Sequence, residues 1–266
     1  ADKKQISTYP LPLPWFSTLL IKAKPEAKMN LEISLEDLLK NGSHFGHNKK
    51  RWNPKMEKYI YGEKNGTHIL DLRKSLPLIE NALKFTLESA KNKKKFLFVS
   101  TKKQHGEIVE NIAKETNNYY VNFRWLGGMI TNWNTVKNSI NTLNNYENIL
   151  RSEETVFTKK ELSDIEKKKN RLEKTLGGIV DMKVTPDVLF IIDTNREHIA
   201  VLEAKKLGIP IIGIVDTNCD PDLIDYPIPA NDDGVKSVQF ILDNFKKVLI
   251  NTSNDSSIEE ENNSNE

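Results

Sequence analysis

The sequence predicts an α/β fold: a mostly parallel β-sheet with helices on its faces, and a helical hairpin inserted near the middle. Three observations predict it. FLFVS (96–100), VLFIID (188–193) and IIGIVD (211–216) are short runs dominated by Val, Ile, Leu and Phe, as strands buried on both faces are. Segments with helical spacing alternate with these runs, which is the βαβ pattern of a parallel sheet. Residues 130–176 break the rhythm with two amphipathic helices in succession.

The elements follow in order. Residues 1–30, containing Lys and Pro and little periodicity, read as an extension, and an α/β domain spans 31–250. SLPLIENALKFTLESA (75–90) sets Leu76, Ile79, Leu83 and Leu87 on one helical stripe. After FLFVS come a helix over 104–116 and a weaker strand, YYVN (119–122). Ile130, Trp133, Val136, Ile140 and Leu143 are spaced three and four apart. After a polar turn near 151–155, Leu162, Ile165, Leu172 and Leu176 repeat the spacing, interrupted by Lys169. Two helices with one narrow apolar seam each form an antiparallel hairpin with facing seams, projecting from the body. Residues 196–207 read as a helix and 235–249 as a closing helix. NTSNDSSIEEENNSNE (251–266) reads as an acidic, disordered tail.

Composition narrows the function classes. No run approaches the roughly 18 uninterrupted apolar residues of a membrane span, so no membrane partner is expected. The single cysteine, Cys219, rules out an intrachain disulfide and any cysteine-cluster metal site. Net charge is +2, but residues 251–266 hold one Asp and four Glu against no Lys or Arg. That −5 leaves +7 on residues 1–250, gathered in NKKR (48–51), KNKKK (91–95), TKK (101–103) and KKKNR (167–171). Such runs neutralise phosphates, although a solvated face has the same composition.

Three constellations could carry chemistry. In HFGHNKKRWNPKM (44–56), His44 and His47 lack a third metal ligand at typical spacing, and no metal or cofactor is expected. The same segment can offer cations beside the stacking rings of Trp52 and the histidines to RNA; equally, it can be a core Trp with a solvated basic loop. FRWLGGMITN (123–132) puts Arg124 and Trp125 before Gly127 and Gly128, as a phosphate-cradling loop or a tight turn into the hairpin would. A nucleotide enzyme's GxGxxG after the first strand or Walker Gly-Lys-Ser/Thr is missing. Asp193 and Asp216 each follow a predicted strand, where open α/β sheets bind ligands. They could hold Mg²⁺ for phosphoryl chemistry, or simply cap the next turn. Cys219, beside Asp220, sits in an acidic setting that disfavours a nucleophilic thiolate.

Taken together, GSHFGHNKKRWNPKMEKYIYGEKNGTHILDLRKS (42–75), YVNFRWLGGMITNW (120–133) and PDVLFIIDTNREHIAVLEAKKLGIPIIGIVDTNCDPDLIDYPIPANDD (186–233) resemble, in order and spacing, the signatures of the small-subunit ribosomal protein 2 family of bacterial and organellar type. The resemblance runs from about Leu35 to about Phe245. It implies five strands in a Rossmann/flavodoxin-like sheet and a non-catalytic role in the small ribosomal subunit. It implies small-subunit rRNA and neighbouring ribosomal proteins as partners, without homo-oligomerisation. Ala230, His105 and the Ser100–Thr101–Lys102 turn depart from the family's usual residues. On this reading the RNA-contact candidates are Lys49, Lys50, Arg51, Trp52 and Lys55; then Lys102, Lys103, Arg124 and Trp125; then Lys167, Lys168, Lys169 and Arg171. High Asn, Lys and Ile content and a first residue other than Met suit an organellar chain freed of a targeting peptide. A mitochondrial-matrix ribosome is therefore expected, with bacterial cytoplasm or plastid as alternatives.

Overall fold

A computed structural model describes residues 33–152 and 157–263, with side chains as far as Thr252. The expected 1–30 extension lies outside the described residues.

The apolar runs form the middle of a parallel sheet. β4 (Phe96–Val99), β6 (Val188–Ile192) and β7 (Ile211–Val215) are buried at every position. β5 (Tyr119–Val121) and β8 (Tyr226–Pro229) close the edges, in the order β5-β4-β6-β7-β8, all neighbours parallel. β8 was not anticipated from periodicity because YPIP carries two prolines. An edge strand tolerates them, since a missing N–H costs a ladder bond only on the paired side.

Side chains alternate across the sheet as the period of two requires. Leu97, Val99, Leu189 and Ile191 enter one core with Val121, Met129, Ile130, Val136 and Ile140. On the other face Phe98, Phe190 and Phe245 pack in sequence, the first pair tilted and the second edge-on, with ring centroids 5.5 and 4.9 Å apart. Helices α2 (Leu72–Lys91), α3 (Gly106–Glu115) and α7 (Val235–Asn263) pack together on this second side. α6 (His198–Leu207) presents Ala200, Val201 and Ala204 to the first core. Helical backbone runs to Asn263, through most of the segment expected as a tail. An established helix extends by one hydrogen bond for each residue fixed, so polar composition alone does not stop it.

The hairpin region forms α4 (Trp133–Arg151) and α5 (Lys159–Leu176), which pack on each other. Lys169, the interruption in the α5 seam, reaches Glu147 of α4 at 3.6 Å and Glu173 at 2.9 Å. A capping box of Thr158 and Glu161 starts α5.

A second sheet was not foreseen. β1 (Phe45–Asn48), β2 (Ile60–Lys64) and β3 (Thr67–Leu70) pair antiparallel in the order β1-β3-β2. Asn65 and Gly66 turn β2 into β3 with φ of 53° and 78°. Asn-Gly favours such a hairpin turn because both residues tolerate positive φ. A short helix, α1 (Leu35–Lys40), precedes this sheet.

Candidate nucleic-acid interface

Parallel register brings the ends of the strands to one edge. Val99 pairs with Ile191, Ile191 with Gly213, and Val215 with Pro229. The residues just beyond, Ser100–Lys102, Asp193, Asp216 and Asn231–Asp233, therefore emerge side by side. Lys102 Nζ lies 2.7 Å from Asp193, 2.9 Å from Asp232 and 2.8 Å from Asp233. Those carboxylates hold its ammonium above the ordinary lysine value although burial opposes them. Asp193 adopts φ of 61°, and its side chain accepts the Arg196 N–H at 3.0 Å. From the small sheet, His47 sets Nδ1 3.0 Å from Asp216 Oδ2 and Nε2 3.2 Å from Asp233 Oδ2. The close approach of Asp216 outweighs burial and raises His47 to about 9. Burial raises Asp232 to about 7, and burial with nearby Lys102 depresses His105 to about 4.

The Gly127–Gly128 loop is organised by a residue that the periodicity reading passed over. Glu203 of α6, 8% exposed, accepts from Trp125 Nε1 at 3.1 Å and from the N–H groups of Gly128 (2.7 Å), Ile130 (3.2 Å) and Thr131 (3.1 Å). Thr131 Oγ1 donates at 3.0 Å. Burial alone would raise this carboxyl, but the donors hold it below its ordinary value. Gly128 takes φ of 86°, the left-handed conformation that lets successive N–H groups converge on one carboxylate. The loop cradles an anion, as one of its readings had it, but the anion is the protein's own. A lone acid among Ala200, Val201 and Ala204 on an apolar helix face was the signal in the sequence.

The geometry sorts the expected RNA contacts by what already engages them. Trp125 is 7% exposed and its indole N–H is taken by Glu203, so it offers an RNA base only the narrow edge that lines the cleft beside Phe123. Lys102 is consumed by three aspartates. Lys55 pairs with Asp220 and Asp222, Lys49 with Glu63, Lys167 with Asp164, and Lys169 with Glu147 and Glu173. Among the described residues no ion pair or side-chain hydrogen bond engages the exposed Lys50, Arg51, Lys103, Arg124, Lys168 and Arg171. Trp52, 36% exposed, meets His68 edge-on at 5.3 Å. Beyond β4, β5 and β6, Thr101, Phe123, Arg124, Trp125, Arg196, Glu197 and Ile199 line an open cleft of about 460 Å³, in which Arg196 stands 3.9 Å from the buried Glu197. Phe123 is 58% exposed there, and Arg196 Nε donates to Thr101 Oγ1 at 2.9 Å. Phe123 and Arg196 were absent from the sequence candidates because each sits singly, outside any basic run.

The phosphoryl-enzyme reading fails at the same edge. Asp193 and Asp216 are 6% and 1% exposed and already engaged by Lys102 and His47. A carboxylate serving a nucleotide-borne metal must be reachable by the nucleotide.

Comparison with known families decides the kinship: the family described as "Ribosomal protein S2" matches residues 38–252. This chain belongs to the ribosomal protein S2 family. Among its relatives, the "Small ribosomal subunit protein uS2" of Mesorhizobium japonicum is 49% identical over 219 residues, covering 82% of this chain and 84% of the relative. The protein of the same name from Rhizobium rhizogenes is 49% identical and covers 82% and 86%. That from Brucella anthropi is 50% identical over 212 residues, covering 80% and 83%. The S2 kinship bears out the resemblance and the five-stranded fold it implied. These relatives are bacterial, and they lend the expected mitochondrial origin no support. No described helix of this S2 chain is long and apolar enough to cross a membrane.

Proposed function

We propose that the chain is a structural, non-catalytic protein of the small ribosomal subunit, binding its rRNA beside neighbouring ribosomal proteins. The observation that carries this reading is the cleft where Arg124 and Arg196 flank the exposed Phe123. Two guanidinium groups suit phosphate oxygens, and an exposed ring stacks on an unpaired base. The names of the bacterial relatives support the same assignment and favour the bacterial cytoplasm. Lys50, Arg51 and Lys103 add cations on the small sheet and the strand ends, and Lys168 and Arg171 add them on α5. Contacts of this kind read backbone shape rather than base sequence. Lys102 and Trp125 act behind the surface, holding the loops that present these groups.

Sedimentation of lysate through a sucrose gradient tests the proposal. The chain is expected with the small subunit, and ribonuclease is expected to release it. A chain that stays at the top of both gradients overturns the reading. The double variant Arg124→Ala/Arg196→Ala should keep the melting temperature, bind small-subunit rRNA more weakly, and lower the log–log salt slope by about 2.

A further inference from the structure

We infer that the outward face of α6, together with Leu223, docks a short acidic segment of another protein through one aliphatic side chain. α6 turns its small apolar residues inward: Ala200, Val201 and Ala204 are buried in the first core. Its larger ones point the other way, with Leu202 58% and Ile199 43% exposed. An amphipathic helix ordinarily buries its larger aliphatic residues, so the outward pair answers no packing need within this chain. At about 100° per residue, Leu202 lies near the centre of the exposed arc. His198, Lys205 and Lys206 stand around it, and Ile199 at its edge.

Exposed aliphatic residues scattered singly are ordinary on any surface, but these are gathered. Leu202 and the exposed Leu223, from the turn Pro221–Leu223, wall a dimple of about 130 Å³ together with the buried Val201 and Ile224. That is below the roughly 300 Å³ at which small-molecule pockets begin. It suits a single side chain, the anchor-in-pocket form of an interface hot spot. Its lining contains Asp220 and no Lys or Arg, so it offers a phosphate no partner.

Charge and area select the occupant. The acids flanking the dimple are already paired: Asp220 and Asp222 with Lys55, and Asp225 with Lys205. Lys206, exposed one turn beyond Leu202, is engaged by no ion pair or side-chain hydrogen bond among the described residues. The charge left for a partner is therefore positive, and a carboxylate beside the anchor complements it. A second copy of this chain, centred on Leu202, would set one free Lys206 near another. Three partly exposed aliphatic side chains also fall far short of the roughly 800 Å² per partner of a standard interface. A segment of a larger assembly needs less, because contacts made elsewhere raise its effective concentration. On the ribosomal reading, Ile199, which also lines the Phe123 cleft, sets such a protein beside the RNA.

The test uses the full chain, made in its native cells with Leu202→benzoylphenylalanine, a photoreactive side chain. After irradiation the adducts are treated with ribonuclease and sequenced by mass spectrometry. One protein peptide is expected, carrying an aliphatic residue beside Asp or Glu, in an adduct whose mobility ribonuclease does not change. The same label at Val184, exposed elsewhere, should not give that peptide. Lys206→Glu should keep the melting temperature and lower the adduct yield by about threefold or more. Replacing the acid of the crosslinked peptide by Lys should restore it. An RNA adduct, an adduct with a second copy, no adduct, or a yield indifferent to both charge changes overturns the inference. Sedimentation reports on the ribosomal reading separately. A protein adduct on a chain that stays at the top of the gradient supports the docking face and sinks only that reading.

Discussion

Two buried carboxylate sites, one at Glu203 of α6 and one at the strand ends around Lys102, solve the problem of a buried charge differently. At Glu203 one carboxylate gathers five donors, two from side chains and three from the backbone of a single loop. At Lys102 four carboxylates share one ammonium and one imidazole, and Asp232 Oδ2 has no hydrogen-bond partner among the described residues. The first is complete within the chain, so it acts as a fastener for the 125–131 loop. The second joins residues of both sheets, because its carboxylates follow β6, β7 and β8 while its imidazole comes from β1. Charge-assisted bonds are individually strong, so both clusters act as fasteners, one for a single loop and one for the junction of two sheets.

The comparison breaks most sharply at Glu203. Glu203→Ala strands five donors in a closed setting and should cost about 4 kcal/mol or more in urea unfolding. A loss under about 1 kcal/mol would mean the loop is held by other contacts. The same carboxyl gives a pH signature. Its folded-state value lies below its ordinary 4.5, so its contribution is present above 4.5 and is lost as pH falls through the lower folded value. Glu203→Gln should therefore flatten the acid limb of the stability profile, and an unchanged limb would contradict the assignment. Lys102→Met comes next. It leaves Asp193, Asp232 and Asp233 without their shared cation, and about 3 kcal/mol should be lost in the same unfolding assay. A neutral result would show that the lysine is replaceable by water.

What was legible in the sequence follows physical lines. β4, β6 and β7 were readable because strands buried on both faces are apolar throughout. β8 was hidden by Pro227 and Pro229, and β1–β3 by their partial exposure and two register irregularities. Asp193 and Asp216 were placed at strand ends correctly, because register follows from strand boundaries. What they touch was not readable. Lys102 meets aspartates 91, 130 and 131 positions away, and His47 meets Asp216 169 positions away. Local spacing rules see partners only a few residues apart, so the carboxylates that face His47 stayed hidden. Basic residues are usually exposed, and that prior placed Lys102 among the RNA contacts when its neighbours enclose it.

The smallest effect tests the boundary between the two kinds of residue in FRWLGGMITN. Trp125 and Arg124 are adjacent, yet one is buried and the other exposed. Trp125→Phe keeps most of the buried ring and removes one donor from a carboxylate that retains four. About 1.5 kcal/mol of stability should be lost, measured by thermal unfolding. RNA affinity of the folded variant, read well below its transition, should not change, because the indole N–H is taken by Glu203 and the ring is 7% exposed. Arg124→Ala should behave inversely, with an unshifted transition and weaker, less salt-dependent RNA binding. If Trp125→Phe instead lowered affinity without destabilising the fold, the ring would have to reach RNA, and the division between fastener and contact surface would fall.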